Sequence, residues 1–250
     1  MSDTSGHGTP LRLKFLRPGE VRDILARDPR LVIPVGTTEQ HGPHLPLGAD
    51  TLLVERLADD LSAEFGVLRA PTVEYGVNAR TRTPYPGNAS LRRKTLHRVM
   101  NDLIGSWEES GVRQFIILTA HGHDPHQEAL STLRTTHATI RTVDIFTVQF
   151  DGEDAGLPIH GGALDTSLVM FVERDQVQLE HAQDYLPSAR GLRAWYRRGS
   201  RSVPPGGPGS VGHPTRASVE AGARLYDLIY ERIATRVFGR APRSTSTARP

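Results

Sequence analysis

Three short apolar runs, separated by helical patterns, constrain this chain most strongly. Leu31-Val32-Ile33-Pro34-Val35, Phe115-Ile116-Ile117-Leu118 and Val143 to Phe150 have the length and composition of buried strands. Helical spacing of apolar residues recurs near 50–65, 92–109, 125–139, 164–174 and 217–238. Strands that are apolar throughout are covered on both faces, and strand–helix alternation feeds parallel pairing. The expected fold class is therefore α/β, a three-layer αβα sandwich with a mostly parallel central sheet.

With 250 residues, 37% hydrophobic and 23% charged, the chain suffices for one large α/β domain. The expected organisation is a disordered N-terminal tail over 1–12, a single domain over 13–239 and a disordered C-terminal tail over 240–250. Both ends are polar and rich in Gly, Ser, Thr and Pro. The Pro/Gly-rich stretch 199–215 is either a linker or a loop bordering the active site. No apolar run approaches the roughly 20 residues of a membrane helix, and no signal peptide is evident, so a cytoplasmic location is expected. Absence of cysteine excludes disulfides and thiolate metal sites. The net charge is +2, and almost all of the base is arginine, Lys14 and Lys94 being the only lysines. A basic face with interleaved aromatic platforms is lacking, which argues against nucleic acid as a partner.

Histidines and carboxylates gather just after the expected strands. Glu39, His41, His44 and Asp50 follow the first, and His121, His123, Asp124 and His126 the second. Asp151, Glu153, Asp154, His160 and Asp165 follow the third. In open α/β sheets the loops at the carboxyl ends of the strands converge on one crevice. These groups therefore meet in space, and mixed imidazole and carboxylate donors suit Zn, Mn or Fe. Glu39 and His41, two apart in an extended loop, point the same way. Asp50, at the start of a helix, is either an N-cap or a ligand able to bridge two cations. His97 and His137 lie on helical patterns away from these loops and read as structural.

The segment VIPVGTTEQHGPHLPLGADTLLVERLADDL, residues 32–61, resembles the signature of the creatininase family of metal-dependent hydrolases. The resemblance continues through Tyr85 to Leu91, Gly122-His123 to Leu130, His160 to Ser167, and Gly212-His213-Pro214 to Gly222. It implies an α/β sandwich, a homo-oligomer (often a hexamer), and one or two divalent metal ions per subunit that hydrolyse a C–N amide bond. Carried over by position, it implies Glu39, His41, Asp50 and His123 as metal ligands. Asp165 matches a carboxylate that either completes the metal shell or orients water. His160 matches a histidine that polarises the carbonyl or shuttles a proton.

Departures from the family pattern bear on the substrate. Pro125 stands where true creatininases carry a second-metal Glu, His126 stands for an Asn, and Ala163 replaces a Glu. The second metal position then falls to Asp124 or His126, or goes unfilled. No tryptophan pair suited to creatinine's ring is found, since Trp107 lies on a helix and only Trp195 falls in a loop. The expected activity is hydrolysis of an amide or lactam bond in a small substrate other than creatinine, as in a specialised biosynthetic member. Two readings compete with it: a binding protein without turnover, and a metal enzyme of non-amide chemistry such as lactone hydrolysis.

Overall fold

The computed structural model describes residues 8–79, 84–147, 160–191 and 207–241. Five parallel strands form one sheet: β1 (Leu11–Arg12), β2 (Arg30–Val35), β3 (Leu68–Arg69), β4 (Gln114–Thr119) and β5 (Thr139–Asp144), in the order β1-β3-β2-β4-β5. Six α-helices are described: α1 (Pro18–Arg27), α2 (Ala49–Phe65), α3 (Arg93–Glu109), α4 (Asp124–Ser131), α5 (Ala163–Val172) and α6 (Val219–Arg236).

Side-chain alternation along the two central strands builds the layers. Val32, Ile116 and Leu118 point to one face, where they pack with Leu53, Leu57 and Leu61 of α2, Leu168 of α5 and Ile229 of α6. Leu31, Ile33, Phe115 and Ile117 point to the other, against Ile24 of α1, Leu96, Met100 and Ile104 of α3, and Leu130 of α4. Neither strand has a polar face because neither faces water. The three-layer αβα sandwich with a parallel sheet is what the apolar runs predicted.

β2 and β4 are paired in register over their whole length, from Arg30 with Gln114 to Val35 with Thr119. From β2 the chain passes through α2 to β3 on one side, then returns through α3 to β4 on the other side of β2. The loops after β2 and β4 thus open from adjacent strand ends, which is where an open parallel sheet forms its crevice.

Several element boundaries differ from the sequence expectation. β5 begins at Thr139 rather than Val143 and gives way to a 3-10 turn at Ile145. The helix expected over 125–139 stops at Ser131. The buried Glu108 carboxylate accepts the backbone N–H groups of Thr136, His137 and Ala138, which draws that segment out of helical geometry and into the approach to β5. Leu11 and Arg12, expected within a disordered tail, pair with Leu68 and Arg69. At the other end, Arg240 makes an ion pair with Glu64 of α2. The expected loop carboxylates Asp151, Glu153 and Asp154, and Trp195, lie outside the described residues.

Candidate metal centre

The loop after β2 carries Glu39 and His41, both buried, and leads into α2. Asp50 is not the N-cap. Gly48 holds that position without a side-chain bond, and Asp50 sits in the first turn, buried. Its Oδ2 accepts the Thr37 hydroxyl at 2.7 Å, which leaves the carboxylate facing two imidazoles. Oδ1 is 3.3 Å from His41 Nε2 and Oδ2 is 3.2 Å from His121 Nδ1. One carboxylate thus spans two rings, as a bridging ligand must. Glu39 Oε2 lies 3.3 Å from the same His121 nitrogen.

Hydrogen bonds on the far side of each ring decide which nitrogen faces the carboxylates. His41 Nδ1 donates to the Glu39 carbonyl at 3.0 Å, leaving Nε2 toward Asp50. His121 Nε2 donates to the Val77 carbonyl at 3.1 Å, leaving Nδ1 toward Glu39 and Asp50. His123 Nδ1 donates to the same carbonyl at 2.7 Å. An imidazole with one N–H on a backbone carbonyl and its other nitrogen turned toward carboxylates is the arrangement of a metal-ligating histidine.

Among the described residues, two sets of three side chains bring ligand atoms within 4.8 Å of one another: Glu39, His41 and His160, and Glu39, Asp50 and His121. Glu39 belongs to both sets, His41 to one and Asp50 to the other, and the 3.3 Å between His41 Nε2 and Asp50 Oδ1 joins them. His123 and Asp165 fall outside both sets. Asp165 is buried in the first turn of α5, where Oδ2 accepts the Gly161 N–H at 2.7 Å. That bond shapes a turn only glycine can occupy, since Gly161 has φ +65° and a Cβ there would meet the His41 carbonyl oxygen at 2.2 Å. The same turn brings half-buried His160 against His41, with ring centroids 4.5 Å apart.

His121, whose part the sequence left open, is drawn into the centre. The signal was its place directly after β4, beside the end of β2. His126 and Asp124 do not take up a ligand position. His126 is fully buried, with Nδ1 accepting the Val77 N–H and Nε2 donating to Thr119 Oγ1, so both ring nitrogens are used. Asp124 is exposed at the start of α4. Trp107 packs with the core under α3, away from the site.

Electrostatics mark the centre as a place for positive charge. Burial opposes a proton on His41, but Asp50 foremost outweighs it and pushes the ring up to about 10. Burial likewise opposes charge on His121, yet Glu39 and Asp50 raise it to about 9. Asp50 is held well below the usual carboxylate range despite burial, chiefly by His41. Burial pushes Glu39 up. Burial, followed by repulsion from His41, lowers His160 to about 3, so it stays neutral. Glu39 Oε2 is buried and accepts no hydrogen bond. A divalent cation fits such a donor set: two buried carboxylates and two oriented imidazoles, with one carboxylate oxygen unsatisfied.

An open parallel sheet with imidazole and carboxylate donors at adjacent strand ends defines an α/β protein with a candidate metal centre. A family model described as creatininase, creatinine amidohydrolase, matches residues 15–237, and the chain belongs to the creatininase family. It is 26% identical over 232 residues to the mycofactocin precursor peptide peptidase of Mycolicibacterium smegmatis, covering 86% of this chain and 87% of that one. It is 24% identical to the creatinine amidohydrolase of Pseudomonas putida, over 84% of this chain and 89% of that one. A crystal structure of creatininase superposes with a TM-score of 0.73 at 22% identity, covering 95% of this chain and 100% of that one. Creatininases in a Zn–Zn form and an Mn form share the fold at TM-scores of 0.75 and 0.72, each at 22% identity.

Proposed function

We propose that this protein is a metal-dependent hydrolase that cleaves a C–N amide bond. The observation that carries the reading is the orientation of His41 and His121. Each parks one N–H on a backbone carbonyl and turns its other nitrogen to the buried Glu39 and Asp50 carboxylates. Glu39, His41, Asp50 and His121 would hold the ion, with His123 oriented from the same Val77 carbonyl and Asp165 bracing the turn beside His41. A divalent ion there, Zn, Mn or Fe by donor type, supplies Lewis acidity and lowers the pKa of water toward neutrality. His160, neutral and with its ring tilted against that of His41, would donate a hydrogen bond to the carbonyl under attack or to the leaving nitrogen.

The bond's setting is either a small, cyclic amide or a peptide. Family membership supports the first reading. The second is favoured by the peptidase of Mycolicibacterium smegmatis, which aligns over 86% of this chain. Creatinine itself is disfavoured by Pro125 and Ala163 at positions where true creatininases carry Glu, and by Trp107 lying on α3 against the core.

Metal analysis and product analysis test the proposal together. Protein loaded with Zn or Mn should hydrolyse either lactams or peptides, with the two product fragments identified by mass. Asp50→Ala should lose metal and activity together. His160→Ala should keep its metal and lose rate by about 10²–10⁴-fold, the usual contribution of a positioned proton donor. Full metal content in Asp50→Ala would show the centre to be elsewhere.

A further inference from the structure

Gln40 lies between the two candidate ligands Glu39 and His41, is buried, and has no part in the metal centre described above. Its side-chain amide makes three contacts. Oε1 accepts the Gly42 backbone N–H at 2.9 Å. Nε2 donates to the Gly209 backbone carbonyl at 2.9 Å. Nε2 also lies 2.9 Å from Nε2 of His160.

The first two contacts fix the amide's orientation. A backbone N–H can only donate and a backbone carbonyl can only accept, so the oxygen must face Gly42 and the nitrogen Gly209. The second N–H of the amide then points at His160 Nε2, and that nitrogen must accept. A neutral imidazole that accepts at Nε2 carries its single proton on Nδ1. Backbone on both sides holds the arrangement in place. Val211 N–H donates to the His160 carbonyl at 2.8 Å. Gly209 has φ +105°, and a Cβ there would meet Gln40 Oε1 at 2.2 Å, so only glycine lets this loop close on the amide.

We infer that Gln40 is a positioning residue that fixes His160 as the tautomer protonated on Nδ1, closing Nε2 both to metal ligation and to service as a base. His160 then carries its proton on Nδ1, so any part it takes in the reaction is as an Nδ1–H donor rather than as a proton relay through Nε2. A neutral imidazole acting as an electrophile in this way is a known device of enzyme sites. The catalytic consequence rests on the hydrolase reading above, whereas the tautomer itself does not.

Ring-nitrogen NMR of metal-free protein carrying isotope-labelled histidine reports which nitrogen of each ring bears the proton. The His160 signals are identified by their loss in His160→Gln. Wild-type protein should show His160 protonated on Nδ1 and bare on Nε2. Gln40→Leu removes the donor and should give a mixture of the two tautomers. A wild-type proton on Nε2 overturns the inference, as does a Gln40→Leu spectrum identical to wild type, and the wild-type measurement requires no variant to fold. Zinc uptake by wild type is measured separately. Failure to take up metal would remove the metal-centre reading and leave the tautomer assignment standing.

Discussion

In the free protein His41 and His121 hold protons because Asp50 lies 3.3 Å from one and 3.2 Å from the other. A metal ion would have to displace those protons, since only the deprotonated nitrogen can ligate. The two rings sit at about 10 and about 9 before metal binds, so both are charged at neutral pH. Binding should therefore release protons, and affinity should strengthen as pH rises toward 9. Below that pH, displacement of two protons gives a slope approaching about a hundredfold in affinity per pH unit. Competition with a chromophoric chelator at pH 6, 7 and 8 measures this, and a pH-independent zinc affinity would contradict the arrangement. At this scale the motif made Glu39, His41 and Asp50 legible. His121 and Gln40 were not, because their parts depend on Val77, Gly42 and Gly209 (partners distant in sequence or made by backbone), which no spacing rule identifies.

The helices illustrate how similar residues carry opposite consequences. Gly222 opens the second turn of α6 where it crosses α5, and a Cβ there would meet the Ser167 carbonyl oxygen at 1.9 Å. Gly222→Ala should destabilise by about 1–3 kcal/mol through overpacking. Gly105 stands in the interior of α3 with nothing within 4 Å of the same position. Gly105→Ala should stabilise by about 0.5–1 kcal/mol, because alanine gives up less backbone freedom on entering a helix. Urea midpoints of the two variants check both signs.

The α2–α6 contact adds a pH dependence. Tyr226 donates to Asp60 at 2.7 Å and Tyr230 to Glu64, and burial together with these carboxylates raises both phenols above their ordinary value. A raised folded-state pKa favours the protonated form. Its contribution is complete below the unfolded value of about 10 and is lost as pH rises beyond it. Stability should therefore fall above that pH, and less steeply in Tyr226→Phe. Equal slopes in the two proteins would refute the assignment. The helices themselves were legible from their apolar period. The early end of α4 was not, since it is imposed by the Glu108 carboxylate from another helix.

For the whole molecule, no described helix is long and apolar enough to cross a membrane. Phe15 and Tyr75 are exposed, at 67% and 53%. We propose that the chain assembles as a homo-oligomer, a hexamer by family likeness, with surfaces that cover such residues. Light scattering at micromolar concentration should give a multiple of 27.5 kDa, and a monomer would refute it.

The sequence alone determined the class of fold and one half of the site. Apolar runs of strand length allow only a sheet covered on both faces, and a long contiguous motif carries Glu39 and His41 on one loop and Asp50 in the helical turn that follows it. Tertiary structure decided the other half. Pairing of β2 with β4 brought His121 to the carboxylates, while buried hydrogen bonds used up both nitrogens of His126. Ligation depends on which nitrogen each ring has free, and that is set by partners the folded backbone supplies.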